Sequence, residues 1–333
     1  MKRMPASAGV SASPRLHRGV AHHAVEVGDA ITASNPLAKS GAATRRRVLL
    51  VLTIVLAASL PGPAAAQSTQ AAIENAAGEL EYDGHSDYSH IRIRRRGPIR
   101  SMIFVRDNGH EVLETQMDLR RPAELKFEYL RYLFASYLFQ PEPKQVLIVG
   151  LGGGSMVHYL QQTDLGVKID AIEIDPLVVK LAADMFGTKP SENVKIVTAD
   201  GFKFIAAAKD QTYDVIYMDA FLKPSADTDE TGAPLALRTQ QFYKQLQQKL
   251  KPGGVVAFNL NPHQQLETDL RELTEAFPQL YVFPMSQFNG VVAIGTTDAK
   301  RIEPAELVRR GRALSRRFKS SLDFQEMPRR LQR

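Results

Sequence analysis

Gln145-Val146-Leu147-Ile148-Val149-Gly150-Leu151-Gly152-Gly153-Gly154-Ser155 is the stretch that decides the fold. An apolar run without polar alternation reads as a strand buried on both faces. Four glycines in five positions follow it, and helical periodicity continues from 155 to 162. Glycines in such a turn let the backbone approach a ligand closely, and the helix N-terminus favours negative or electron-rich groups. A dinucleotide-binding turn would read G-x-G-x-x-G, but here the last position is Ser155. A tight turn without a ligand is the plain alternative.

Outward from this turn, strand and helix alternate. Strands are expected at 168–174, 194–198, 213–218 and 255–260, and helices at 176–186, 202–208, 239–250 and 263–277. Pro176 suits the first turn of its helix. Two short runs, 281–284 and 291–295, joined around Asn289-Gly290, read as a closing antiparallel pair. The alternation predicts an α/β fold with a parallel sheet covered on both faces, and ligands at the C-terminal strand ends. Upstream, residues 88–116 read as a small antiparallel β unit with Asp107-Asn108-Gly109 as a hairpin turn. A helix is expected over 122–139.

Three carboxylates close successive strands. Glu173 lies nineteen residues after Gly154, where it can accept both ribose hydroxyls of a nucleoside. Asp175 nearby has the more ordinary role of capping the helix at Pro176. Asp200 can accept from an adenine amino group, or cap the helix that follows it. Together they suit adenosine joined to a sulfonium, without a diphosphate. Asp219 ends Tyr213-Asp214-Val215-Ile216-Tyr217-Met218-Asp219. A carboxylate at the mouth of the sheet can bind an amine and take its proton during attack. A loop cap is the alternative. The following segment, 221–234, contains Asp227, Asp229 and Glu230 and reads as an acidic lid or a solvated loop.

The formal charge of +6 is misleading. Residues 1–66 hold eight basic and two acidic side chains, so the other 34 of each sign cancel. Residues 299–333 hold eleven basic and four acidic groups, which leaves 67–298 at −7. This argues against a nucleic-acid partner and mildly for a cationic ligand. The absence of Cys excludes disulfides, Cys-ligated zinc and thiol catalysis. The histidines show no metal-ligand spacing, so no metal is expected.

Arg45-Arg46-Arg47, the apolar run 48–60 and Ala64-Ala65-Ala66 follow the order of a secretory signal, with cleavage expected after Ala66. The expected location is exported or periplasmic, or membrane-anchored by this segment. If translation starts further downstream, it is cytoplasmic. Residues 67–80 read as a polar, Ala-rich linker. Near the C-terminus, 303–320 reads as a basic helix with Leu307, Leu314 and Phe318 on one stripe. It is either docked on the body or attached to a membrane surface.

From Tyr82 to Thr297, about two-thirds of the chain, the sequence resembles the spermidine synthase (polyamine aminopropyltransferase) family on a class I methyltransferase scaffold. The matching pieces, in order, are Tyr88-Ser89-His90-Ile91-Arg92-Ile93, 146–154, Ile172-Glu173-Ile174-Asp175, Ala199-Asp200-Gly201, 213–219, and Gln241-Phe242-Tyr243 leading to Leu250-Lys251-Pro252-Gly253-Gly254. The resemblance implies that Gln116 and Glu173 touch the nucleoside cofactor, that Gly150, Gly152, Gly153 and Gly154 cradle it, that Asp200 faces adenine and that Asp219 is the amine-activating base. Tyr129 matches the tyrosine of the family's Tyr-His-Glu segment. Three positions depart from the family pattern. Ser155 stands where the family has Asp in Gly-Gly-Gly-Asp-Gly, Leu222 replaces a second loop Asp, and Leu130 replaces the His after the tyrosine.

The implied organisation is a leader (1–66), a linker with small β unit and connecting helix (67–143), a Rossmann-like nucleoside-binding domain (144–298) and a basic helical tail (299–333). The implied activity is aminopropyl transfer from decarboxylated S-adenosylmethionine to a polyamine, a small cationic amine, by a homodimer. Asp227 and Asp229 are further candidates for the amine. Two alternatives remain open: a methyltransferase using ordinary S-adenosylmethionine, and a non-catalytic exported binding protein of the same fold.

Overall fold

In the computed structural model, Gln145–Val149 forms the strand β5 that the opening stretch predicts. The structure describes residues 78–333 other than Phe288, Ser320, Ser321 and Arg333. The leader, its cleavage site and nearly all of the linker lie outside the described residues.

Four antiparallel strands come first: β1 (Glu79–His85), β2 (His90–Arg96), β3 (Ile99–Val105) and β4 (Glu111–Asp118). Strand β1 begins within the segment read as linker. Its Glu-Leu-Glu-Tyr-Asp-Gly-His sequence has little apolar content, and only pairing with β2 reveals it. The helix expected over 122–139 shortens to α1 (Glu128–Leu133) followed by a 3-10 turn (Phe134–Leu138).

Seven strands form the main sheet, in the order β10-β11-β9-β8-β5-β6-β7. They are β6 (Lys168–Glu173), β7 (Val194–Thr198), β8 (Tyr213–Met218), β9 (Leu250–Leu260), β10 (Gln279–Pro284) and β11 (Val291–Thr296), with β5 near the middle. Strands β5 to β9 pair in parallel, and β11 runs antiparallel to both neighbours. The helices between them are α2 (Ser155–Thr163), α3 (Pro176–Met185), α4 (Gly201–Ala207), α5 (Gln240–Lys249) and α6 (Leu266–Ala276), with α7 (Pro304–Phe318) after the sheet. Connections leave β5 in one direction and β8 in the other. A ligand crevice belongs at such a switch point, outside the carboxyl ends of the strands.

Strand β5 shows why both faces are covered. Val146 and Ile148 join a cluster with Phe134, Tyr159 and Tyr217, whereas Leu147 and Val149 join one with Ile216, Phe242 and Phe258. Helix α7 contributes Leu307 and Leu314 to the first cluster, so its apolar stripe is spent on the body. The small sheet packs Ile93, Met102 and Met117 against Val178 and Leu181 of α3. No helix among the described residues is long and apolar enough to cross a membrane.

Candidate active site

Four strand ends converge on one cavity, whose wall includes the glycine turn, Glu173, Asp200 and Asp219. Gly150 fixes their spacing. It has φ 97°, and a Cβ there would lie 2.0 Å from the carbonyl oxygen of Asp219. Only glycine permits this approach of the β5 and β8 ends. Gly154, at φ 82°, is the left-handed residue that opens α2. Between them, the Gly153 N–H donates to Thr115 Oγ1 at 2.8 Å, and Thr188 Oγ1 donates to the Gly153 carbonyl at 2.7 Å. The turn is thereby fastened to both the small sheet and the body.

Backbone amides hold the carboxylates of Glu173 and Asp200. Glu173 accepts from the N–H groups of Leu151 and Asp175, each at 3.0 Å. Burial raises its pKa, and those amides oppose the shift. Asp200 caps α4, accepting from Phe202 N at 2.8 Å and Lys203 N at 3.3 Å, while remaining part of the cavity wall. Asp175 caps α3 through Leu177 N at 2.8 Å. Ile174, Phe202 and Leu237 add apolar wall.

Asp219 is held by side chains instead. Asn259 Nδ2, at the end of β9, donates to its Oδ1 at 2.8 Å, and the Tyr129 hydroxyl donates as well. Burial pushes the Asp219 pKa up to about 6 against both donors. Burial and the neighbouring carboxylates raise the Tyr129 pKa, which keeps that hydroxyl a donor. Leu130, Ser155 and Leu222 line the same cavity at the three positions of departure.

Three candidate residues lie outside the cavity wall. Gln116 is not part of the wall; its amide donates to Ser101 Oγ at 3.5 Å. The register explains this: Met102 pairs with Thr115 and Ile103 with Leu113, so Glu114 is the extra residue of a β-bulge. The bulge turns both Glu114 and Thr115 to the cavity. Asp229 does not reach the cavity either. It accepts from Thr231 N at 2.8 Å and Ala233 N at 2.9 Å, and pairs with Arg238 at 2.5 Å. It folds segment 221–234 back on itself. Asp227 is exposed on that segment, away from the wall.

Sequence reasoning missed Glu114, Thr115, Asn259 and Arg106. Asn259 carried a signal, as a polar residue inside the apolar run 255–260. Arg106 ties the β3–β4 turn to the 221–234 segment, donating to the carbonyls of Leu222 at 3.2 Å and Thr231 at 3.1 Å. Among the described residues, no His, Asp and Glu group is arranged to hold a metal.

Residues 129–288 match the family model of the spermine/spermidine synthase domain. Among similar proteins, the polyamine aminopropyltransferase of Vibrio vulnificus (strain CMCP6) is 29% identical over 212 residues, covering 63% of this chain and 69% of that one. Further polyamine aminopropyltransferases are spanned over 60 to 62% of their length. Among solved structures, human methyltransferase-like protein 13 in complex with SAH aligns with TM-score 0.53 and 26% identity, over 58% of this chain and 93% of that one. A spermidine synthase in complex with the transition state analogue AdoDATO aligns with TM-score 0.52 and 22% identity, over 73% and 80%, a likeness of fold. The matched region thus lies on a methyltransferase-like α/β scaffold, preceded by a four-stranded antiparallel sheet.

Proposed function

We propose that the protein transfers an aminopropyl group from decarboxylated S-adenosylmethionine to a small amine, with Asp219 as base. The observation that carries this reading is Asp219 itself. It is a desolvated carboxylate beside Glu173 and Asp200, held by Tyr129 and Asn259 and poised at a pKa of about 6. Glu173 would accept the ribose hydroxyls, Asp200 would face the nucleobase amino group, and the glycine turn would approach the sulfonium.

An acceptor ammonium gives its proton to Asp219. The freed nitrogen lone pair attacks the propyl carbon beside the sulfonium and forms the C–N bond. The C–S bond breaks, and its electron pair returns to sulfur, which leaves as the neutral thioether of methylthioadenosine. The new secondary ammonium sheds its own proton to solvent or keeps it. Holding nitrogen and carbon in line supplies much of the rate.

A second reading, methyl transfer from ordinary S-adenosylmethionine, draws on Ser155. This position opens α2 inside the cavity with a neutral side chain, so the helix N-terminus is left to receive a carboxylate. Incubating the full chain with each sulfonium and 1,4-diaminobutane tests both readings. Methylthioadenosine as product supports the first. S-adenosylhomocysteine supports the second, and neither product from either sulfonium rejects both.

A further inference from the structure

Glu114 owes its place to a backbone irregularity. In a regular strand, consecutive side chains point to opposite faces, so Glu114 and Thr115 could not both line one cavity. The β4 bulge makes this happen: Thr115 accepts from the glycine turn while Glu114 faces the space beside Asp219. Bulges recur beside active sites, where they re-aim a side chain. Among the described residues the Glu114 carboxylate accepts no hydrogen bond, so it is a half-buried carboxylate facing a cavity without the donors that hold Glu173 and Asp200. Arg106, Asp219 and Glu173 act on it, and Tyr129 and Asp200 share the cavity. Arg106 is committed to the Leu222 and Thr231 carbonyls and only partly offsets the carboxylates. Burial drives the Glu114 pKa up to about 7, a cost that a cation in the cavity would relieve. The positions where this family carries amine-facing aspartates hold Ser155 and Leu222 in the same wall.

Resting on the aminopropyl-transfer reading, we propose that Glu114, aimed by the β4 bulge, is the positioning residue that receives a primary ammonium in this cavity. The ammonium belongs either to the acceptor amine or to the aminopropyl tail of the sulfonium. Its charge pairs with Glu114 while Asp219 stays free to take the proton.

Calorimetry on the full chain and on Glu114→Gln tests this with three ligands. Methylthioadenosine, which has no ammonium, should bind both proteins alike, and this also reports that the variant is folded. Titration of 1,4-diaminobutane into methylthioadenosine-saturated protein reads the acceptor. Titration of decarboxylated S-adenosylmethionine reads the tail. The ligand whose ammonium Glu114 holds should bind Glu114→Gln about ten- to a hundredfold more weakly. Glu114→Asp, which keeps the charge, should recover most of that loss. In turnover the loss should fall on KM for that ligand more than on kcat. Equal affinities of both ammonium ligands for wild type and Glu114→Gln overturn the proposal, as does a wild type that binds methylthioadenosine but neither ammonium ligand. If Glu114→Gln does not fold, a Glu114→Asp protein that binds methylthioadenosine but has lost both ammonium ligands overturns it as well. A wild type that does not bind methylthioadenosine counts against the aminopropyl-transfer reading instead. Diaminobutane titrated into nucleoside-free wild type and Glu114→Gln then decides Glu114 separately, equal binding or none by wild type overturning it.

Discussion

Glu173 and Asp200 stand at strand ends just as Asp219 does, yet the two halves of the cavity hold their carboxylates differently. Around Glu173 and Asp200, backbone N–H groups of the strand-end loops satisfy each oxygen that is used. In the other half, Asp219 relies on Tyr129 from α1 and Asn259 from β9, and Glu114 on no hydrogen bond among the described residues. Backbone donors come with the fold and cost nothing extra to position. Side-chain donors from distant elements leave a carboxylate closer to its desolvated, proton-accepting limit. The first arrangement suits a group that must bind and remain an anion; the second suits one that must change protonation state.

The sharpest way to break this contrast is Asp219→Asn. The amide keeps the shape but cannot accept a proton, so turnover should fall by about 10²–10⁴-fold while methylthioadenosine affinity holds. Turnover within threefold of wild type would make Asp219 a cap like Asp200. Glu173→Ala should do the reverse, weakening methylthioadenosine by about ten- to a hundredfold, or roughly 1.5–3 kcal/mol. The cut also strips the acceptor from Leu151 N and loosens the glycine turn. Unchanged nucleoside affinity in a folded variant would reject the site.

Ser155→Asp sharpens the comparison at the border of the two halves. An added carboxylate there should favour decarboxylated over ordinary S-adenosylmethionine by about 1–2 kcal/mol relative to wild type, read by titrating both. A wild-type preference of a hundredfold or more for the decarboxylated form would show that Ser155 is no handicap. The smallest effect concerns pH. A base with pKa raised to about 6 is protonated below that value, so kcat/KM should fall as pH drops through about 6, by roughly tenfold between pH 7 and 5. Tyr129→Phe removes a donor that stabilises the anion, so the same limb should move to higher pH. A limb that stays put would mean that the Tyr129 hydrogen bond does not tune the base.

Much of this was legible in the chain. Buried parallel strands announce themselves as apolar runs, and a turn of glycines or a terminal Asp marks where each one stops. That is why the glycine turn, Glu173, Asp200 and Asp219 could be named and are found together. What escaped depends on partners far away in sequence. Gln116 and Glu114 are two residues apart on one strand, and pairing with β3, bulge included, decides which one meets the cavity. Asp229 reads as an available acid until Arg238 is seen to consume it. The helix expected from Pro122 begins only at Glu128, whose carboxylate is held by Ser286 and Gln287, 158 and 159 residues away.

Gly150 limits how such a site can change under selection. With its α-carbon against the Asp219 carbonyl, no side chain can enter without prising the two strand ends apart. The span between the glycine turn and Asp219 is therefore welded in main chain, beyond the reach of ordinary substitutions. Variation is left to the movable fittings around it: Glu114, Ser155 and Leu222. Single replacements at those three positions can alter what the cavity wall offers a ligand, while the span between the two strand ends is inherited unaltered.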